Sequence, residues 1–118
     1  MSTDPWPEEL RLTEQGRVLR IRFDNGQAYD LTAEYLRVMS PSAEVQGHSP
    51  AERKVQHGKS KVAIMQVEPV GSYAVRLVFD DMHSTGLYTW AYLNELGAAF
   101  EHKWAAYLAE LTEKGLGR

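Results

Sequence analysis

The chain contains no cysteine. Disulfides, thiolate metal sites and a cysteine nucleophile are thereby excluded. No apolar run approaches the roughly 18 residues that a membrane-spanning helix needs. Positive charge is in short supply: 13 Lys and Arg stand against 16 Asp and Glu, a net charge of −3. An electrostatic grip on DNA or RNA needs clustered Lys and Arg, so no nucleic-acid partner is expected. The four histidines, His48, His57, His83 and His102, include no helical i,i+4 pair and no HExxH. Gly58-Lys59-Ser60 lacks the first glycine of a phosphate loop, because position 53 is Arg. Ser40, Ser42 and Ser49 lie in no GxSxG elbow. The opening MSTDPWPEEL has neither the basic start nor the apolar stretch of a signal peptide. The expected location is the cytoplasm, without a membrane partner.

What is present is ordinary for one soluble domain: 118 residues, 43% hydrophobic and 25% charged. A chain of this size hides about 65% of its unfolded surface, enough for one core. Residues 1–8 read as a flexible lead-in, since Pro5 and Pro7 forbid regular helix. A single domain is expected over 9–115. Leu10–Thr13 and Val18–Phe23 suit strands, the second alternating Val18, Arg20 and Arg22 against Leu19, Ile21 and Phe23. Glu14–Gly16 is a tight turn. Asp24-Asn25-Gly26 signals a hairpin, because Asn-Gly tolerates positive φ, and leads into a strand around Gln27–Leu31. Thr32 caps a short helix, Ala33–Val38. Ser40–Ser60 reads as a long loop bearing Pro41 and Pro50, and loops of that length are usually functional or mobile. Lys61–Glu68 and Tyr73–Phe79 alternate as strands around Pro69–Ser72, and Gly86–Tyr88 is a short extended piece. Trp90, Leu93, Leu96, Gly97, Phe100, Trp104, Tyr107, Leu108 and Leu111 recur at steps of three and four, the stripe of a helix. Thr89 caps it, Gly97 bends or breaks it, and Gly115 stops it. The fold class is α+β: a small twisted, largely antiparallel sheet, a short helix after the first strands, and one or two C-terminal helices packed on it.

Asp80-Asp81-Met82-His83 sets two carboxylates and an imidazole at a strand end. Such a cluster suits metal binding or proton relay, and equally a turn whose Asp side chains satisfy backbone N–H groups. Trp90, Tyr92, Trp104 and Tyr107 fit a packed helix better than a cofactor box.

Three blocks carry a resemblance: LTAEYLRVMSPSAEVQGH, VEPVGSYAVRLVFDDMHSTGLYTWAYLNELG and KWAAYLAEL. In order and spacing they resemble small bacterial proteins that look like the N-terminal domain of gamma-butyrobetaine hydroxylase. The resemblance implies a small α+β domain of unknown function, also found attached to iron–sulfur carrier proteins of the Mrp type. In the hydroxylase the matching domain looks like a zinc module, with a Cys-Pro-Cys-x-x-Cys run and a later histidine. Laid on this chain, that run falls on Ser40, Pro41, Ser42, Ala43, Glu44 and Val45, and the histidine on His83. Hydroxyls and a valine do not make a tetrahedral thiolate site, and the oxygenase domain is absent from the match. Met39 and Met82 stand where Tyr and Gly are typical, so the turn at Met82 is not expected to need positive φ.

The expected function is a non-enzymatic binding or adaptor module without a cofactor, its partner another protein or a small ligand. Polar loop residues on a rigid scaffold more often bind than pack. Arg37, Ser40, Ser42, Glu44 and His48 are expected to face Asp80 and His83 across one surface, with Tyr88 and Trp90 as its apolar wall. The alternative is a metal-binding accessory protein for iron–sulfur or metal traffic, using His48, His83, Glu44 and Asp80.

Overall fold

The turn Asp24–Gly26 shows how local chemistry sets the first strands. Gly26 takes φ +86°, and the Asn25 carboxamide accepts from the Gln27 N–H at 3.0 Å. The Gly26 N–H donates to Phe23 O, and the Phe23 N–H to Gln27 O. This is a three-residue hairpin loop with its glycine in the left-handed position. A computed structural model describes residues 5–46 and 55–118 of the chain. His48 lies outside the described residues, as do the side chains of Ala43 and Glu44.

Strands β1 (Pro7–Thr13), β2 (Val18–Phe23) and β3 (Ala28–Thr32) form an antiparallel meander in that order. A second three-stranded sheet runs β4 (Ile64–Val70), β5 (Ala74–Phe79), β6 (Leu87–Thr89). The strands therefore divide into two antiparallel sheets rather than one. In β2, Leu19, Ile21 and Phe23 are buried. Arg20 and Arg22 point the other way and pair with Asp30 and Glu8 on the flanking strands. Strand β5 repeats the pattern, with Leu77 and Phe79 inside and Arg76 on Glu68. The inward faces of both sheets share one core with Tyr35, Leu36, Leu93 and Leu96.

Helix α1 (Ala33–Val38) is buried at every position, and Thr32 Oγ1 accepts from the Tyr35 N–H at 3.1 Å. A one-turn helix, α2 (Ala43–Gln46), occupies part of the segment expected to be irregular. Helix α3 (Trp90–Ala98) is capped by Thr89, and α4 (Phe100–Glu113) follows. The break falls at Ala99, not at Gly97. Gly97 serves packing instead: a Cβ there would stand 2.4 Å from the Tyr29 ring.

Several boundaries move. Pro7 and Glu8 belong to β1, and Trp6 is tied down by Asp24, whose carboxylate accepts from the Trp6 N–H and whose own N–H donates to Trp6 O. Pro7 and Glu8, expected within a flexible lead-in, are thus part of the first sheet. At the other end residues 116–118 pack back onto the fold, past the expected limit at 115: Leu116 against Leu111, Arg118 on Glu34. Strand β4 starts at Ile64 and runs through Pro69 to Val70. Pro69 is tolerated because β4 is an edge strand. The turn Glu14–Gly16 is left-handed throughout, with φ of 53°, 59° and 86°. A Cβ at Gly16 would lie 2.3 Å from Ile64 O, so this turn abuts the start of β4.

Candidate functional site

Helix α1 delivers its last turn into a polar cluster. Helices of this length leave their final carbonyls without intrahelical partners. Here Tyr88 Oη donates to Leu36 O and Tyr92 Oη to Met39 O, each at 2.5 Å. Tyr35 Oη returns the tie, donating to Leu96 O at 2.7 Å. Burial pushes the phenols of Tyr35 and Tyr88 well above the ordinary range. Burial, aided by Glu95, pushes Tyr92 up to about 12.

Beyond the helix, Ser40 Oγ and His83 Nε2 share a hydrogen bond of 2.8 Å. Ser40 is 0% exposed and His83 5%. Ser40 Oγ also accepts from the Ser42 N–H, and Ser42 Oγ meets Thr85 Oγ1 at 2.5 Å. The chain can close this tightly because position 86 is glycine: a Cβ there would sit 2.6 Å from Ser40 Oγ.

A charged cluster flanks the hydroxyls. Asp81 Oδ2 accepts from Arg37 Nε at 2.8 Å and from Lys59 Nζ at 2.7 Å. Its Oδ1 accepts from the His83 N–H at 3.2 Å. Arg37 also donates to Gln56 Oε1. Burial alone would raise the Asp81 carboxyl. The hydrogen bonds from Lys59 and the His83 N–H, with the Arg37 guanidinium, outweigh it and hold it below the usual carboxylate range.

The two family-like blocks therefore meet. Arg37, Ser40, Ser42 and His83 converge, but as a buried lock rather than an open surface. Asp80 is not part of it: its carboxylate accepts from the Ala63 N–H at 3.1 Å at the head of β4. Asp81 takes the place expected for Asp80. Tyr88 is fully buried core, not a surface wall. Trp90 sits elsewhere, edge-on to Trp6 with its indole N–H on Ser72 O. Gln56 and Thr85 were not singled out by the sequence, and Lys59 was weighed only within a phosphate-loop fragment, since no spacing marks residues that meet only through long-range folding. Met82 has φ 76°, contrary to the sequence expectation, because the turn reverses there while Asp81 and His83 are both drawn inward.

Ser40 and His83 have the separation of a nucleophile and its base. Both are buried, Ser40 completely, and Gly86 closes on Ser40 Oγ with no room for a Cβ, so a substrate has no approach to that oxygen. Zinc fits no better. The hydroxyls of Ser40 and Ser42 are bonded within the protein, and Val45 is buried and apolar. Such a set cannot supply thiolate coordination. Among the described residues no group of three His, Cys, Asp or Glu side chains is placed to hold a metal ion. Nor is any helix among them long and apolar enough to cross a membrane.

Solved structures share the fold. One determined by solution NMR is 46% identical, aligning 98% of this chain with 91% of its own at a TM-score of 0.85. A second solution NMR structure is 44% identical over 100% of this chain and 90% of that one, with a TM-score of 0.82. A crystal structure from Acidithiobacillus ferrooxidans, of a protein with unknown function in the DUF971 family, is 39% identical. It aligns 78% of this chain with 92% of that one at a TM-score of 0.63. No curated protein matches. Residues 10–94 match the family model described as gamma-butyrobetaine hydroxylase-like, N-terminal. With that match over most of its length, the chain belongs to the gamma-butyrobetaine hydroxylase-like N-terminal family.

Proposed function

We propose that the domain is a non-enzymatic binding module that offers the tip of the Asp80–Thr85 turn to another polypeptide. The observation that carries this reading is Met82. It is 87% exposed and held at positive φ, a conformation that costs a non-glycine residue roughly 1–2 kcal/mol. Strain of this kind persists only where the surroundings over-determine it. The surroundings here are the Asp81 ion pairs and the Ser40–His83 bond on either side of the tip. A methionine so presented is a plastic apolar contact, suited to a partner with its own apolar patch. The sealed polar cluster supports the reading too, since it offers rigidity and no reaction chamber.

The test places a photoreactive benzoylphenylalanine at position 82 and, separately, at position 65. Met65 is a similarly exposed methionine, 64% accessible, on the β4 edge. A defined polypeptide crosslinked from position 82 but not from 65 is the expected result. Equal crosslinking from both positions, or none from 82, overturns the proposal.

A further inference from the structure

Glu34 is a carboxylate in the first turn of α1 with only 7% of its side chain exposed. Its partner is Arg118, 84 positions away: Nε donates to Oε2 at 3.0 Å and Nη2 to Oε1 at 2.7 Å. The guanidinium carbon also lies 5.5 Å from the centre of the Trp104 ring. The two partners are unequal, since 54% of the Arg118 side chain is exposed.

The path of the chain explains how the arginine arrives. Gly115 takes φ +67° after α4. The Leu116 N–H then donates to Leu111 O and the Gly115 N–H to Thr112 O. This paired closure with an apolar contact across it is the Schellman reversal. Leu116 packs against Val38, Tyr107 and Leu111. The Gly58 N–H then grips Gly117 O at 3.1 Å. Three successive residues are thus each read by a different feature: an apolar side chain, a backbone carbonyl and a guanidinium.

We propose that Glu34, Trp104 and the Gly58 N–H, with the Val38–Tyr107–Leu111 patch, form a receptor site for an arginine-bearing peptide segment, of which residues 116–118 are the intramolecular occupant. The receptor half belongs to the folded body, whereas the occupant lies on a short non-helical segment. An emptied site would leave a buried carboxylate unpaired, which is strongly unfavourable. It therefore selects a replacement of the same kind. A guanidinium fits both carboxylate oxygens at once and lies flat on an indole, neither of which an ammonium does. The ligand class is an extended segment with an apolar residue two places before an arginine, supplied by another polypeptide.

The test uses the full chain carrying L116A and R118A, which together vacate the apolar patch and the place beside Glu34, with the Trp104 indole N–H followed by heteronuclear NMR. N-acetyl-Leu-Gly-Arg-amide should shift that signal saturably and bind at least tenfold more tightly than to the unaltered chain, whose own segment competes. N-acetyl-Leu-Gly-Lys-amide should bind at least tenfold more weakly, and the E34Q/L116A/R118A triple variant should not respond. Methylguanidinium chloride separates the sources: the small cation alone should bind far more weakly than the peptide. Absence of a saturable shift, equal binding of the lysine peptide, an unchanged response in E34Q/L116A/R118A, or methylguanidinium binding as tightly as the peptide each overturns the proposal. If L116A/R118A does not fold, L116A/R118K, which keeps a cation beside Glu34, is titrated by the same criteria.

Discussion

Ser40 Oγ and His83 Nε2 stand 2.8 Å apart across 43 positions of sequence, and neither side chain is open to solvent. The bond joins the segment after α1 to the turn after β5, which are the two stretches with the strongest family resemblance. Replacing His83 with Ala empties a buried site and strips Ser40 of a partner. The expected loss is about 1–3 kcal/mol, measured by urea unfolding. A change within about 0.5 kcal/mol, as for a surface polar residue, would show that the bond is incidental.

Gly86 and Ser40 should behave as one unit. Adding a Cβ at position 86 drives it to 2.6 Å from Ser40 Oγ, so G86A should cost about 1–3 kcal/mol. S40A removes the opposing atom. In a double-mutant cycle the pair should therefore cost less than the sum of the singles, by about 0.5 kcal/mol or more. Strict additivity would mean that the backbone of the turn, not the oxygen, meets the new methyl group.

The left-handed residues give a prediction of opposite sign. Gln15 has φ 59° and Met82 φ 76°, and both are exposed. Glycine relieves the steric cost, so Q15G and M82G should each stabilise by up to about 1 kcal/mol. Thermal midpoints check this. M82G should also weaken binding of the polypeptide that position 82 crosslinks while leaving the fold intact, separating the strain from its use.

Acid sensitivity should trace to Asp81. Its carboxyl pKa is lowered in the folded state, so the folded state binds fewer protons than the unfolded state near that range. The resulting stability is present above the ordinary carboxylate pKa and is lost as pH falls through the lowered one. D81N should flatten the acid limb of the stability profile below about pH 4 and lower the plateau at neutral pH. On the alkaline side, Tyr92 is raised to about 12 mainly by burial, which gives stability fully present below about pH 10 and lost as pH rises from there through the raised value. A D81N profile parallel to that of the unaltered chain at low pH would place the acid response elsewhere.

Much of the backbone was legible from local rules. The bounds of β2 and α1 follow from alternation and the Thr32 cap, Thr89 starts α3, and Gly115 ends α4, as the residue types require. What escaped were the pairings between distant residues. Nothing within six residues of α1 announces that Glu34 and Arg37 are buried, because Arg118 and Asp81 compensate them from 84 and 44 positions away. The choice between Asp80 and Asp81 was equally hidden. They are neighbours on one turn, and the φ of Met82 helps decide which carboxylate faces Arg37. His48, expected beside His83, lies outside the described residues.

The phenols on α1 also constrain the order of events as the chain folds. A six-residue helix is far too short to persist alone. Its final carbonyls wait for Tyr88 and Tyr92, and its own hydroxyl-bearing ring waits for Leu96 O. During synthesis, therefore, residues 33–38 gain their closing contacts only after most of the chain has left the ribosome. Folding should be gated by these distant closures, with kinetics nearer those of non-local β proteins than of helical bundles.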